Sequence, residues 1–351
     1  MNLKFSDFKI VPVFDSIKRI NLSDEEYFSS KYRDYISNSR LKNIDPEEGG
    51  SPEQYINPPH LSTQSLSIGG HIHELLLQPE SFVLGPKLHK PTAKLGQVAD
   101  YVYEHRSDNI PIEETIKEAS VAIGYYVNQI DSKISYIIEK CQPYWDALDV
   151  PRWKNKGKSE ILLSDRDHDI VAGCIKSCYD NTRLMEKLHP KDVFGDPIES
   201  YNEIAFFIDF IVTYKGKKCT TLRFKMKADN YTVDVDNKLI TLNDLKTTSK
   251  PVAWFMNEEY GSMTHYCYYR QMYIYMMVLW LYCTKKYGAS KETGWKTDAN
   301  MLVVQTSPDY SSRCYNVGKS WMRRGKFQAE QLLKRVAAYQ IFGWESELNF
   351  I

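Results

Sequence analysis

The sequence predicts an α/β (α+β) fold, with a central mixed but mostly antiparallel sheet flanked by helices. Three observations predict it: helical periodicity over residues 112–190, β-branched and aromatic runs crowded between residues 204 and 246, and apolar or amphipathic helical segments beyond residue 268. With 351 residues, 42% hydrophobic and 13% aromatic, the chain has ample material for a core.

Taken in order, residues 1–60 mix short helical signals with turn material. The stretch Asp45-Pro46-Glu47-Glu48-Gly49-Gly50-Ser51-Pro52 reads as an exposed loop within a covering segment. Residues 61–351 form the main domain, opening with a helix from Ser67 that has Gly69 and Gly70 near its start and stops at Pro79. Residues 100–200 read as a helical insertion. Strand character begins at Ile204–Tyr214, closed by Lys215-Gly216-Lys217, and continues through Cys219–Lys227, Tyr231–Val235 and Leu239–Lys246. The last two are separated by the turn signal Asp236-Asn237, so the centre reads as an antiparallel meander. An apolar helix at Tyr268–Tyr287, a strand at Met301–Gln305 and an amphipathic helix at Trp321–Tyr339, ending near Gly343, complete the chain.

Composition narrows the function classes. The 45 basic and 45 acidic residues cancel, so affinity for a polyanion has to come from local clusters. Three such clusters exist: Arg152, Lys154, Lys156 and Lys158 around Trp153; Lys215, Lys217, Lys218, Arg223, Lys225 and Lys227; and Lys319, Arg323, Arg324 and Lys326 near Trp321. Solvated faces are the ordinary alternative for each. The seven cysteines lack CxxC pairs, which argues against a disulfide framework or zinc knuckle and for a reducing, cytoplasmic setting. The N-terminal residues lack the apolar stretch of a signal peptide, and Met272–Cys283 is shorter than a membrane span, so neither export nor a membrane partner is expected.

The chemistry concentrates in the strands. Asp244 and Lys246 stand two apart on one strand and share a face, while Leu245 turns away; Asp229, on a neighbouring strand, can face the same pocket. Two carboxylates at close range select a hard cation, Mg²⁺ with Mn²⁺ able to substitute, and the Leu245 carbonyl is expected as a further oxygen ligand. A metal so held activates water for in-line attack on phosphorus, with Lys246 orienting the water or stabilising charge on the phosphate. The implied chemistry is phosphodiester hydrolysis.

Lys227-Ala228-Asp229-Asn230-Tyr231, then Asn243-Asp244-Leu245-Lys246-Thr247-Thr248, then Tyr268-Tyr269-Arg270-Gln271-Met272-Tyr273-Ile274-Tyr275 resemble the motifs of the PD-(D/E)XK nucleases, specifically the RecE-like (exonuclease VIII type) phage exonucleases. Gly69-Gly70-His71-Ile72-His73-Glu74-Leu75-Leu76-Leu77-Gln78-Pro79 is similar to that family's glycine–histidine helix, and Ile36-Ser37-Asn38-Ser39-Arg40-Leu41 to its serine-containing helix, shared with lambda exonuclease. The resemblance runs from about residue 30 to the C-terminus. Its first motif reads Ala228-Asp229 where the family has Pro-Asp, and residues 100–200 match no motif.

The resemblance implies a restriction-endonuclease-like core and assigns roles. Asp229, Asp244, Lys246 and Gln271 are catalytic; His73, Asp229, Asp244 and the Leu245 carbonyl hold the metal. Glu203 reaches a second metal or its waters, a capping or surface glutamate being the alternative. Ser39, Arg40, Arg270 and Tyr275 bind DNA; for Ser39 a helix cap, for Arg40 a surface arginine and for the tyrosine a core position are the ordinary readings. Residues 1–60 would cover the site where DNA enters. The implied protein is a Mg²⁺-dependent exonuclease that resects linear duplex DNA ends from 5′ to 3′ and feeds a single-strand annealing protein in phage recombination. It would form a trimeric or tetrameric ring in the host cytoplasm. A RecB-like or CRISPR-associated nuclease module is one alternative, although the scattered cysteines offer no iron–sulfur cluster set. A catalytically inactive DNA-binding protein of the same fold is the other.

Overall fold

The computed structural model describes residues 1–59, 64–107, 109–149 and 157–350; the expected boundary at residues 60 and 61 and most of the basic cluster around Trp153 lie outside them. The chain divides into two units, one formed by Met1–Gly69 with Cys174–Ile351, the other by Gly70–Gly173.

The first unit opens with β1 (Asn2–Leu3), β2 (Phe8–Pro12) and β3 (Lys18–Ile20), followed by the short helices α1 (Asp24–Phe28), α2 (Asn38–Lys42) and α3 (Pro52–Ile56) and the start of α4 (Gln64–Leu77). A capping box at Ser23 and Glu26 starts α1 and the Ser37 hydroxyl caps α2. The second unit takes the rest of α4, then β4 (Phe82–Leu88), α5 (Ala93–His105), α6 (Ile112–Ile123), α7 (Ile130–Asp149), β5 (Ser159–Ser164) and the first turns of α8 (Asp165–Asp180). Val98, Val102, Ile116, Ile137, Cys141 and Trp145 form its core, and β4 pairs with β5 in parallel, a small sheet the helical periodicity did not announce.

Returning to the first unit, the chain forms the end of α8, α9 (Thr182–Leu188), β6 (Ser200–Tyr214), β7 (Lys217–Asp234), β8 (Leu239–Thr248), α10 (Ser262–His265), α11 (Tyr268–Tyr287), β9 (Lys296–Gln305), β10 (Ser312–Asn316), α12 (Lys319–Phe342) and β11 (Asn349–Phe350). The main sheet has seven strands in the order β10-β9-β8-β7-β6-β2, with β3 also on β6. Within this sheet β8 and β9 run parallel, joined through a helix, and the other pairs run antiparallel. The mixed, mostly antiparallel sheet flanked by helices is therefore present as expected. The apolar Tyr268–Tyr287 segment is α11, buried against the sheet and α12. Gly325 permits that contact: a β-carbon there would stand 2.1 Å from the Tyr269 carbonyl oxygen. No helix among the described residues is long and apolar enough to cross a membrane.

One expectation is corrected. Cys219–Lys227 and Tyr231–Val235 are not separate strands but parts of β7, because β6 pairs along its length, with Ile204 facing Ala228 and Asn202 facing Asn230. This holds the polar segment Ala228-Asp229-Asn230 extended.

Across the same sheet runs a row of amides. Asn202, Asn230, Asn243, Asn300 and Asn316 occupy matched register positions on β6, β7, β8, β9 and β10. Asn230 Nδ2 donates to Asn202 Oδ1 at 2.7 Å, Asn243 Nδ2 to Asn230 Oδ1 at 2.7 Å, and Asn300 Nδ2 to Asn243 Oδ1 at 3.1 Å. Asp298 joins Asn300 to Asn316 through its two carboxylate oxygens, at 2.9 and 2.6 Å. Asn230, Asn243 and Asn300 are buried, so each bond replaces water that cannot reach them. Replacing Asn243 by Leu would leave the Asn230 oxygen without its donor from Asn243 and one Asn300 N–H without its acceptor, at about 1–3 kcal/mol each. Asn243→Leu is expected to lower stability by about 3 kcal/mol in urea unfolding; an unchanged midpoint would show that the amide row contributes nothing.

Candidate active site

Where β7 and β8 part, the polar residues of the motifs converge. Asp244 and Lys246 share a face of β8 with the core residues Ile240 and Leu242, which turns both toward α11. Asp244 is 1% exposed. Its Oδ1 accepts from Gln271 Nε2 of α11 at 2.6 Å, and its Oδ2 is in contact with the Lys246 ammonium. Lys246 also stands 3.8 Å from Asp229 Oδ2, donates to the Leu245 carbonyl at 3.2 Å and lies 5.3 Å over the Tyr268 ring. Burial works against its charge, but Asp244 and Asp229 outweigh burial and hold the ammonium above the ordinary lysine range. Burial likewise pushes the Tyr268 phenol up to about 12, against the pull of Lys246.

Leu245 serves through its backbone while its side chain fills the core. Its N–H donates to Asp229 Oδ2 at 2.8 Å, and its carbonyl, expected as a metal ligand, accepts the lysine. Gly69, at the N-terminal part of α4, meets the end of β8 closely: a β-carbon there would lie 3.1 Å from Thr247 Oγ1.

The strand pair β6 and β7 is irregular at this point. Asn202 pairs with Asn230 and Ile204 with Ala228, which sets Glu203 and Asp229 opposite each other, their carboxylate oxygens within 4.8 Å. Glu203 has φ +53°, a left-handed conformation that costs a side-chain-bearing residue about 1–3 kcal/mol. The apolar alternation switches here as well. Leu222, Phe224, Met226 and Ala228 enter the core before Asp229; Tyr231 and Val233 enter it after. Such local breaks in a ladder re-aim side chains beside functional sites. Lys227 pairs with Glu203 at 2.9 Å and with Asp24 at 2.5 Å. Like charges opposed across a ladder are destabilising, and Glu203 and Asp229 each offer the hard oxygen donors that a divalent cation of the Mg²⁺ or Mn²⁺ type would take.

The remaining candidates take different settings. Tyr275, expected at DNA, is buried in the core; burial raises its phenol pKa strongly, with the charges of Asp244, Asp229 and Glu203 adding to the effect. It backs the carboxylates from inside the protein. Arg270 is corrected more sharply. Its guanidinium is 1% exposed and pairs through Nη1 with Asp45 at 3.0 Å and Glu48 at 2.6 Å, while Nε donates to Asn38 Oδ1 at 3.0 Å. The segment around Asp45, read as an exposed loop, is therefore anchored, and the Asp45, Glu48 and Cys267 group already has its cation in Arg270. Ser39 is exposed, 3.0 Å from Ser37 Oγ, and Arg40 donates to the Arg33 and Tyr55 carbonyls at 2.7 and 3.4 Å. His73 lies on the part of α4 that belongs to the second unit, and its role stays with the resemblance; His71 pairs with Glu74 at 3.0 Å. Trp321, beside the third basic cluster, is buried against Tyr269.

Two outcomes follow. Arg270→Ala is expected to cost about 3–5 kcal/mol of stability in chemical denaturation by uncovering buried carboxylates; full stability with loss of DNA affinity would restore it to the binding surface. Glu203→Gly removes the strained conformation, so its thermal midpoint in EDTA should equal or exceed that of the wild type. A large drop would show that Glu203 is structural.

No known protein family and no curated protein matches the chain. A solved structure from Eubacterium rectale, named a candidate exonuclease, is similar over 93% of this chain and 89% of its own, at 10% identity and a TM-score of 0.45.

Proposed function

We propose that the chain is a divalent-cation-dependent deoxyribonuclease. The observation that carries this reading is the convergence of Asp229, Asp244, Lys246 and Gln271 where the central strands β7 and β8 part beneath α11, with Glu203 strained into position opposite Asp229. Asp229, Asp244 and Glu203 would hold Mg²⁺ or Mn²⁺, which when bound supplies Lewis-acid polarisation of a phosphoryl oxygen and an acidified water. Gln271 fixes one oxygen of Asp244 and the Leu245 N–H fixes one of Asp229, so the carboxylates are oriented before a substrate arrives. Lys246 offers a compact positive charge to the phosphate oxygens as negative charge builds on them.

The finer reading rests on the motif resemblance: exonucleolytic attack on the ends of linear duplex DNA from 5′ to 3′, a ring-shaped homo-oligomer, a single-strand annealing partner, and work in phage recombination within the cytoplasm. Incubation with linear duplex DNA bearing a 5′-phosphate or a 5′-hydroxyl, in Mg²⁺ or EDTA, tests both levels. Digestion should require the metal, and Lys246→Ala should slow it by about 10²-fold or more. Digestion in EDTA, or none by the wild-type protein, would overturn the proposal, and label release from one end would fix polarity.

A further inference from the structure

The basic run along β7 contains a feature that the carboxylate site does not use. Lys225 is buried, its Nζ donating to the Tyr27 carbonyl at 2.7 Å, and Lys227 belongs to Glu203 and Asp24. Arg223 differs from both. Its side chain is 52% exposed, lies over the Tyr35 ring at 5.1 Å, and among the described residues its acidic partner is Asp34, itself 82% exposed and 3.9 Å away.

Arg223 lines a cavity of about 340 Å³ together with Arg40, Thr221, Gln340 and the aromatic pair Tyr55 and Trp344. The Arg40 guanidinium is held in place: it lies 4.6 Å over the Tyr55 ring and is tethered by the Arg33 and Tyr55 carbonyls. Both faces of Trp344 are taken, by Tyr55 at 5.0 Å and Tyr339 at 5.4 Å, so a base has no ring to stack on. The groove therefore selects charge. Two guanidiniums, with Lys225 buried nearby, face a single, weakly held carboxylate, and the Thr221 hydroxyl adds a neutral donor. A guanidinium fork laid on an aromatic ring is suited to phosphate oxygens.

Arg223 precedes Asp229 by six residues on one strand, a separation of about 20 Å at the rise of a β-strand. That span corresponds to about six base pairs of duplex. We propose that this groove is a backbone-phosphate subsite for a DNA strand, engaging a phosphate remote from the one at the carboxylates. The inference rests on the nuclease reading for the identity of the polyanion. A subsite so placed governs affinity and leaves the chemical step untouched.

The test is fluorescence anisotropy of a fluorescein-labelled oligodeoxythymidine with the full chain in EDTA, where nothing is cleaved. Arg223→Ala should weaken binding by about fivefold at low salt and reduce the slope of log affinity against log salt by about 0.7, the single-strand value for one phosphate contact. Arg223→Lys should retain most of both. The exposed side chain makes misfolding an unsuitable explanation for any loss. Unchanged affinity and slope in Arg223→Ala, or no binding by the wild-type protein, would overturn the groove. Undiminished cleavage by Lys246→Ala would overturn the catalytic reading and leave the anisotropy result standing, so the two failures are distinguishable.

Discussion

The row of asparagines across β6 to β10 is the constraint on which the rest of the structure depends. Asn230 directly follows Asp229 and Asn243 directly precedes Asp244, and these two amides are bonded to each other at 2.7 Å. A slip of one residue between β7 and β8 would send every side chain to the opposite face and separate the carboxylates. The pairing of β7 with β8 covers only Asn230–Asp234 against Leu239–Asn243, too short a ladder for apolar alternation alone to fix its register firmly. Complementary amides penalise any slip, because a displaced asparagine leaves a buried donor and acceptor unmatched. The Lys187 carbonyl, which accepts from Asn243 at 2.8 Å, and the Lys187 ammonium, 2.6 Å from Asp298, tie α9 to the same row.

That register places charge where an apolar interior would be easier to build. Asp244 and Lys246 occupy positions that continue the Ile240 and Leu242 core face, and Glu203 takes a conformation that glycine adopts more readily. Each cost is partly offset locally, by Gln271 and the Leu245 N–H for the acids and by the acids themselves for Lys246. Arg270, one residue before Gln271, anchors the same helix through Asp45 and Glu48, so the N-terminal segment steadies α11 as well as covering the sheet. Strain and buried charge held by an otherwise well-packed sheet are features of a site that function shapes at some expense to stability.

Much of this was legible in the residues. The bounds of α11 coincide with Tyr268–Tyr287, where a long apolar run ends at Gly288, and the strand expected over Leu239–Lys246 is β8, which continues two residues further to Thr248. The strand segment through Asp229 was not, because Ala228, Asp229 and Asn230 have low strand propensity and are held by β6 pairing, a nonlocal effect. The amide row was hidden for the same reason: asparagine ordinarily signals turns, and only register reveals that five of them align. Arg270 looked available because its partners Asp45 and Glu48 lie more than two hundred residues away in sequence, in a stretch whose prolines and glycines resemble a loop. Residues 100–200 match no motif and read as a helical insertion, whereas the separate unit spans Gly70–Gly173.

The proposed chemistry requires that these carboxylates form a cation site. Titration of Mn²⁺ followed by electron paramagnetic resonance tests it without substrate or turnover. The expected result is saturable binding to the wild-type protein, loss of that binding in Asp229→Asn, and affinity at least as high in Lys246→Met, where a competing positive charge is gone. Equal Mn²⁺ affinity in the wild type and Asp229→Asn, or no saturable binding to either, would rule out a cation site at these carboxylates.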